Sequence, residues 1–424
     1  MARRALGRRF GWLWAAYAVS AYGSGLGFGA FSLIAIRVLH TGPGEVAALA
    51  AAGLAAGAVV AVPLGPWMEF RRKRPVMIAM DLTRFAAVLS IPVAFALGWL
   101  SFAQLLIVSV IVTGAKIAFN AASGAFLKTL VPTEDLLVAN GRFESTNWTS
   151  IVVGPPLGGL AIGMFGPVTT VAADAISYLL SAAGISAIGG GEPRPVRAHK
   201  ASGRASDLFD GWRHILTSPA LRPVFLNQLL VAGLIMATEP QITFLMLGRL
   251  GFAPWQYGLA FAAPCVGGLI GSRLARRLVA RCGQHWVMLV AGTLRACWLL
   301  GLAFIRPGAA GIVLVIAVQF GLVTCMGVYN PVLATYRLNH TPRDRVARTL
   351  SAWSVTNYTS IAALTALWGV LGSVTSPRTA IAIGGLLILA SPLLLPRREH
   401  APRPEPELAR SAALVAGRLS RGPP

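Results

Sequence analysis

Charged residues are scarce in this sequence. Only 12% of its 424 residues are Asp, Glu, Lys or Arg, while 55% are hydrophobic. An ordinary soluble domain carries about a quarter charged residues. A globule with so few charges would have too little polar surface to stay in solution. Part of its solvent must therefore be lipid, as the mean hydropathy of +0.66 also indicates.

Cysteine and histidine are also few, and their arrangement excludes several chemistries. The four cysteines form no Cys-x-x-Cys pair, and none of the six histidines lies inside an apolar run. Metal-site spacing is therefore absent. The phosphate-binding pattern GxxxxGK[ST] and a nucleophile–base set are missing too, which argues against ATP-driven transport and against an enzyme. We expect neither a metal nor another cofactor.

Acidic residues are outnumbered by basic ones, 15 to 37, which leaves a net charge of +22. Such a charge invites a nucleic-acid interpretation, but its placement does not fit one. The basic residues cluster between apolar runs, where membrane proteins keep their cytoplasmic loops. Anionic lipid balances such clusters without nucleic acid. We expect a lipid bilayer, and no nucleic acid, among the partners.

Long apolar runs dominate the remainder of the chain. They cover about 11–36, 46–68, 75–98, 102–127, 142–165, 167–189, 222–247, 254–274, 285–305, 310–337, 347–371 and 378–395. Each is long enough to cross the hydrocarbon, which takes roughly 20 residues. A segment in lipid must satisfy its own backbone, so all are predicted helices. The predicted fold class is an all-α membrane protein of twelve transmembrane helices in two six-helix repeats.

The distribution of Lys and Arg predicts the orientation. With the N-terminus inside, the inner loops and termini hold 30 of these residues and the outer loops only four. The positive-inside rule then predicts a multi-pass protein of the cell membrane with both termini cytoplasmic, its basic N-terminus leading into a retained first helix. The predicted domains are a six-helix bundle at 1–189, a linker with an amphipathic helix at 190–221, a second bundle at 222–395 and a tail at 396–424, which is predicted to be disordered.

The two halves repeat one another. TNWTSI at Thr146–Ile151 returns as TNYTSI at Thr356–Ile361, an offset of 210 residues. An offset of 211 aligns PVMIAMDLTR, which ends at Arg84, with WVMLVAGTLR, which ends at Arg295. An even number of crossings restores the side, so the halves are parallel repeats. Such halves place a solute site between them near the middle of the membrane.

The chain resembles the major facilitator superfamily from about residue 11 to 395. The loop GPWMEFRRKRP resembles the superfamily motif of Gly, three residues, Asp, two residues, Gly and two basic residues, although Arg72 replaces the second Gly. The resemblance implies a charge latch that closes the cytoplasmic side; a topology anchor is the alternative. The predicted gate residues are Gly65, Glu69, Lys73, Arg74, Asp81 and Arg84.

A second motif resembles the antiporter pattern of the superfamily. GPPLGG supplies Gly154, Pro155, Gly158 and Gly159. Small residues allow helices to approach closely, and proline bends a helix. The motif indicates either a kinked, sealed seam that favours exchange or simple tight packing. A narrower resemblance, to the branch of the enterobactin exporter and the macrolide efflux proteins, is carried by DLTR at 81–84, VPTEDLLVAN at 131–140, DAISYLLSA at 174–182 and GWRHILTSPALR at 211–222.

Three ionisable residues lie inside apolar runs: Lys116, Asp174 and Glu239. Charges in lipid are costly and are functional candidates by default. Burial raises the pKa of a carboxyl group, so either acid is a candidate for coupling proton entry to solute exit; a structural role is the alternative. Lys116 is a candidate counter-charge for one of them, or a ligand for an anionic solute. Further candidates for the substrate site are Asn120, Asn147, Asn330, Asn357 and Tyr22, since buried amides need partners.

These features together predict a secondary transporter, specifically a proton-coupled exporter (antiporter) of drug-like or siderophore-like small molecules. We expect it to work as a monomer. An importer of the same fold is one alternative, and a membrane sensor or scaffold that no longer transports is another. The three intramembrane charges argue against the sensor.

Overall fold

The computed structural model describes residues 6–27, 30–40, 71–189, 209–252 and 254–398, together with positions 49, 53 and 59. Within these ranges every regular element is a helix. Eight helices there are long and apolar enough to cross a membrane, or nine if the bent pair Thr133–Gly154 and Pro156–Phe165 counts as one span. The predicted run at 46–68, most of the linker and the tail beyond 398 lie outside the described residues.

The N-terminal half contains the first six described helices. They are α1 (Arg8–Leu26), α2 (Ala30–Arg37), α3 (Lys73–Ala96), α4 (Phe102–Leu130), α5 (Leu136–Phe165) and α6 (Pro167–Ser186). Gly166 joins the last two with a φ of 84°, a backbone conformation that favours glycine. Pro167 then occupies the first turn of α6, where its missing N–H costs nothing.

A short linker helix and the C-terminal half follow. They are α7 (Asp210–Thr217), α8 (Leu221–Thr243), α9 (Pro254–Ala262), α10 (Cys265–Cys282), α11 (Gln284–Leu294), α12 (Ala309–Asn339), α13 (Val346–Val374) and α14 (Pro377–Leu389). Several predicted runs are broken helices here. A π-helix extends α8 over Phe244–Arg249, and a 3-10 helix at Leu299–Phe304 continues the run that α11 begins.

The halves meet near one face of the bundle. We call this face, where α1 begins and α4, α10 and α12 end, the basic face. There α4 packs on α13, and α5 packs on α10 and α12. One apolar cluster joins Leu127 of the first half to Leu338 and Val346 of the second. Toward the opposite face the two largest clusters each belong to a single half.

Hydrogen bonds follow the same distribution, and we call the residues that join the halves at the basic face the seam. Lys128 Nζ donates to the carbonyl oxygens of Leu338 (2.7 Å) and Thr341 (2.6 Å). Asn140 donates to Thr335 Oγ1 across 2.9 Å. Among the described residues, every hydrogen bond printed between the halves lies in this half of the bundle. The described helices therefore enclose a cleft between the halves that is closed at the basic face.

The linker helix α7 lies against α13. A Cβ on Gly211 would come within 2.6 Å of the Arg348 carbonyl oxygen, so only glycine allows this approach. Asp210 pairs with Arg348 (3.3 Å), and Trp212 Nε1 donates to Thr356 Oγ1 (2.7 Å). An amphipathic helix on the inner membrane surface was expected; the helix exists, but it packs on the protein and only part of its predicted apolar face is buried, since Leu216 remains 46% exposed.

Candidate functional site

A carboxylate lies at the closed end of the cleft. Glu144 is on the third turn of α5, and its Oε1 accepts hydrogen bonds from Trp148 Nε1 (2.9 Å) on its own helix and from Asn330 Nδ2 (2.8 Å) on α12. Ser145 and Ser272, one residue further, share a hydrogen bond of 2.8 Å. The carboxylate thus joins the two halves where the seam ends and the cleft begins.

Aromatic side chains surround this carboxylate. Tyr17 of α1 packs edge-on against Phe143, with ring centroids 4.8 Å apart. Tyr17 also lies within electrostatic range of Glu144 and of Tyr358 on α13. Trp148 packs so closely on α10 that a Cβ on Gly268 would overlap the indole. The closed end of the cleft therefore offers flat apolar surface beside one acid, a combination that suits an amphipathic ligand.

The face of α4 that turns toward the other half carries two of the predicted polar residues. Gly124 of this face lies against Leu350 of α13, and Ile117 clusters with Val355. Lys116 and Asn120 are exposed. Asn120 lies one helical turn from Gly124, away from the basic face, and Lys116 lies one turn further on. Both therefore line the cleft above the seam.

The predicted acid Asp174 belongs to a buried charge cluster inside the N-terminal half. Asp81 is fully buried, pairs with Arg84 and accepts a hydrogen bond from Ser181 Oγ (2.7 Å). The Arg84 guanidinium also lies 4.5 Å from the ring centroid of Tyr178. Asp174 accepts a longer hydrogen bond from Ser177 (3.4 Å) and lies within electrostatic range of Arg84. The cluster is packed with aromatic and hydroxyl groups, which suits a structural or proton-storing role.

Asp174 also contacts α1 directly. A Cβ added to Gly23 or Gly27 would lie 3.2 Å from one of its carboxylate oxygens. Ser24, between these glycines, shares a hydrogen bond of 2.9 Å with Tyr178 Oη. Glycines on α1 thus make room for the acid, and movement of α1 would change its surroundings.

The repeat gives the C-terminal half a related but unequal cluster. Arg295, the counterpart of Arg84, is 1% exposed and lies 3.7 Å from the centroid of the Tyr329 ring. It donates to Asn227 (2.5 Å) and Gln228 (2.9 Å). The residue that aligns with Asp81 is Gly292. The first half therefore neutralises its arginine with a carboxylate, whereas the second uses amides.

The remaining predicted substrate residues are dispersed. Tyr22 and Asn147 are partly buried, and Asn330 is the residue that bonds Glu144. The side-chain oxygen of Asn357 is buried without a hydrogen-bond partner. Glu239 is exposed on the opposite-face end of α8, within electrostatic range of Tyr257.

The predicted gate residues occupy several places. Gly65 and Glu69 lie outside the described residues. Lys73 donates to the Arg71 carbonyl (3.0 Å), and Arg74 donates to the carbonyls of Ile185 (3.0 Å) and Ser186 at the end of α6. Asp81 and Arg84 are buried inside the N-terminal half. Described contacts of these residues lie within one half, and Lys128 is the cation that crosses the seam.

The GPPLGG motif lies on α5 where this helix crosses α1. A Cβ on Gly154 would approach the Gly25 Cα to 2.6 Å, and one on Gly158 would overlap the Leu26 carbonyl, whereas one on Gly159 would meet nothing within 4 Å. The helix bends by 43° at the prolines. The motif therefore forms a close contact inside the N-terminal half.

Comparison with known proteins identifies the family. A profile of the transmembrane secretion effector family, a major facilitator family, matches residues 6–416. The chain belongs to the major facilitator superfamily. It is accordingly a multi-pass secondary transporter and not an enzyme, as the sequence analysis predicted. Within the described residues, no group of three or more His, Cys, Asp or Glu side chains is arranged to hold a metal ion.

Relatives of known name support the same family. The multidrug efflux pump Tap of Mycobacterium tuberculosis is 25% identical over 353 residues, 81% of each chain. Tap of Mycolicibacterium fortuitum is 26% identical over 327 residues, 75% of this chain and 79% of that one. Among solved structures, a bacterial homologue of the iron transporter ferroportin in an outward-facing state has a TM-score of 0.77 at 15% identity, covering 92% of this chain and 98% of that one. The transporter FucP in its outward conformation has a TM-score of 0.72 at 14% identity, covering 94% and 100%. At these identities the structures establish the fold alone.

Two residues of the site escaped the sequence analysis. Glu144 stands two residues after Arg142 near the start of its apolar run, so it looked like part of a polar helix end. Lys128 looked like an ordinary basic residue before an inner loop. A signal was available for Lys128, because the repeat offset of 210 aligns it with Leu338, whose carbonyl it binds.

Proposed function

We propose that this transporter is a proton-coupled exporter of drug-like small molecules in the cell membrane. Resemblance to the Tap efflux pumps and the antiporter-like GPPLGG sequence support export. The excess of Lys and Arg on one side of the spans supports a cytoplasmic basic face, and with it cytoplasmic termini. In that orientation the cleft opens to the outside, the state from which an exporter releases its solute.

The observation that carries proton coupling is the position of Glu144 across the seam. As a carboxylate it accepts two hydrogen bonds, and the one from Asn330 crosses between the halves. Hydrogen bonds to an ionised group are roughly twice as strong as neutral ones. Protonation of Glu144 from the outer cleft therefore weakens the closure of the basic face.

Coupling then follows from the linkage between proton binding and conformation. A ligand shifts an equilibrium by its differential affinity for the two states. A proton favours the state in which the seam is open, and loss of the proton to the cytoplasm restores the outward-open state. Inward movement of protons thereby returns the empty carrier for another cycle of export. Asp174 and Glu239 remain candidates for a second proton site, Asp174 because it packs against α1.

Export and coupling are tested in everted membrane vesicles. Uptake of a panel of fluorescent dyes is followed after an imposed proton gradient, with and without a protonophore. We expect gradient-dependent accumulation with the wild-type chain and none with Glu144→Gln. Glu134→Gln, at an exposed residue just before α5, is the matched control and is expected to transport normally. Accumulation that survives the protonophore would refute proton coupling, and retained transport by Glu144→Gln would refute the role of this residue.

A further inference from the structure

A lysine lies at the middle of the membrane on the wall of the cleft. Lys116 is fourteen residues from Phe102 and fourteen from Leu130, the two ends of α4. At a rise of 1.5 Å per residue it is about 21 Å from each end. No snorkelling side chain reaches a membrane surface from that depth, so the ammonium group needs a polar environment within the protein.

The position of Lys116 on α4 shows that its environment is the cleft. Gly124 and Lys128, on the same side of the helix, contact the C-terminal half. Lys116 also lies within electrostatic range of Asp174, which is buried between α6 and α1 and not at the lipid surface. The side chain is exposed. Its exposure is therefore to the aqueous space between the halves.

The acids around Lys116 are already engaged. Asp174 is beside Arg84 and accepts a hydrogen bond from Ser177, and Glu144 is bonded to Trp148 and Asn330. Within the described part of the chain, Lys116 itself has neither a hydrogen bond nor an ion pair. It is a cation with free donors in a space that a solute must enter.

We propose that Lys116 binds an acidic group of the solute, so that the transported molecules include amphipathic organic anions such as aromatic carboxylates and phenolates. Asn120, one turn nearer the basic face and also exposed, supplies an amide for the same group. The aromatic body then lies toward Tyr358, which clusters with Ile117 next to Lys116. This inference rests on the proposed function in that the cleft is taken to be the solute site.

The rival role for Lys116 is a counter-charge for Asp174 alone. The two roles differ in what they predict for ligand charge. A counter-charge maintains the structure of the cleft for every ligand, whereas an anion-binding residue distinguishes ligands by charge. Fluorescein and rhodamine 123 provide the test, because they share a xanthene core and carry opposite net charges near neutral pH.

Binding is measured by fluorescence anisotropy with the full chain in nanodiscs of neutral lipid and without a proton gradient. We expect the wild type to bind fluorescein more tightly than rhodamine 123. Lys116→Gln is expected to weaken fluorescein binding about tenfold, which corresponds to about 1.4 kcal/mol, while rhodamine 123 binds as well or better. Lys116→Arg should retain the preference. Arg249→Gln, which removes an exposed charge outside the cleft, is the matched control and should behave as wild type.

Equal weakening of both dyes by Lys116→Gln would overturn the proposal in favour of the counter-charge, and the absence of saturable fluorescein binding to the wild type would overturn it outright. Binding needs no turnover, so the two proposals can fail separately. Charge-selective binding without vesicle transport would refute the proposed function and leave the anion site. Gradient-driven export of dyes without dependence of binding on Lys116 would do the reverse.

Discussion

Replacing Glu144 by Gln perturbs the seam by one atom. The amide is nearly isosteric with the carboxylate, and its oxygen can still accept the hydrogen bonds from Trp148 and Asn330. Only the charge is lost. The bond from Trp148 stays within α5 in every state of the transporter, so it does not affect the balance between states. The bond from Asn330, which spans 2.8 Å between the halves, does.

The size of the effect follows from that one bond. A hydrogen bond to a charged group contributes about 1.5–3 kcal/mol and a neutral one about 0.5–1.5 kcal/mol. The substitution therefore weakens the closed seam by about 1 kcal/mol, which corresponds to a roughly fivefold change in the ratio of closed to open molecules. Protonation of wild-type Glu144 should act in the same direction, since it also removes the charge.

Distance distributions between nitroxide labels report this ratio directly. Thr129 and Arg281 are exposed residues at the basic face, one in each half, and suit labelling in a protein without its native cysteines. We expect acidification to increase the long-distance population in the wild type. The Glu144→Gln protein should show the larger population at all pH values. Tyr17 and Tyr358 are the other titratable groups described near Glu144, and neither changes charge in the acidic range.

Two results would refute this reasoning. One is a Glu144→Gln protein whose distances match the wild type at neutral pH. The other is a Glu144→Gln protein that still responds to acid, because the responding group would then lie elsewhere. Glu134→Gln, which keeps the seam carboxylate, should respond as the wild type does.

Three further predictions concern the architecture around the site. Gly154→Leu should abolish accumulation of folded protein, measured by fluorescence size-exclusion chromatography, because its Cβ would overlap α1, whereas Gly159→Leu should be tolerated; equal yields would contradict the packing argument. Asp81→Asn leaves Arg84 buried without a carboxylate and should cost about 3–5 kcal/mol; an unchanged melting temperature in detergent would show that the pair is not needed for stability. Trp212→Ala should cost about 2 kcal/mol by removing partly buried packing and a hydrogen bond to α13, and a melting temperature equal to that of the wild type would show that the linker helix is not firmly docked.

The sequence alone determined the class and much of the architecture of this protein. Scarce charges and long apolar runs required helices in lipid, because an unsatisfied backbone is too costly there. The offset between TNWTSI and TNYTSI predicted parallel halves, and both threonines serve one purpose in the structure: Thr146 accepts the indole N–H of Trp14 (2.9 Å), as Thr356 accepts that of Trp212. The family comparison confirmed the major facilitator fold. The orientation remains a prediction.

Tertiary structure decided which polar residues share a site. Asp81 and Arg84 look like the charges of a surface gate because they follow a basic loop, yet helix rotation turns them into the core of one half. Glu144 looks like a helix end, yet the approach of α12 makes it the acid that links the halves. Hydrophobic periodicity fixes that a helix is buried, but it does not fix which partner helix faces each polar side chain. That pairing depends on contacts between residues about 190 positions apart, and a single sequence does not record them.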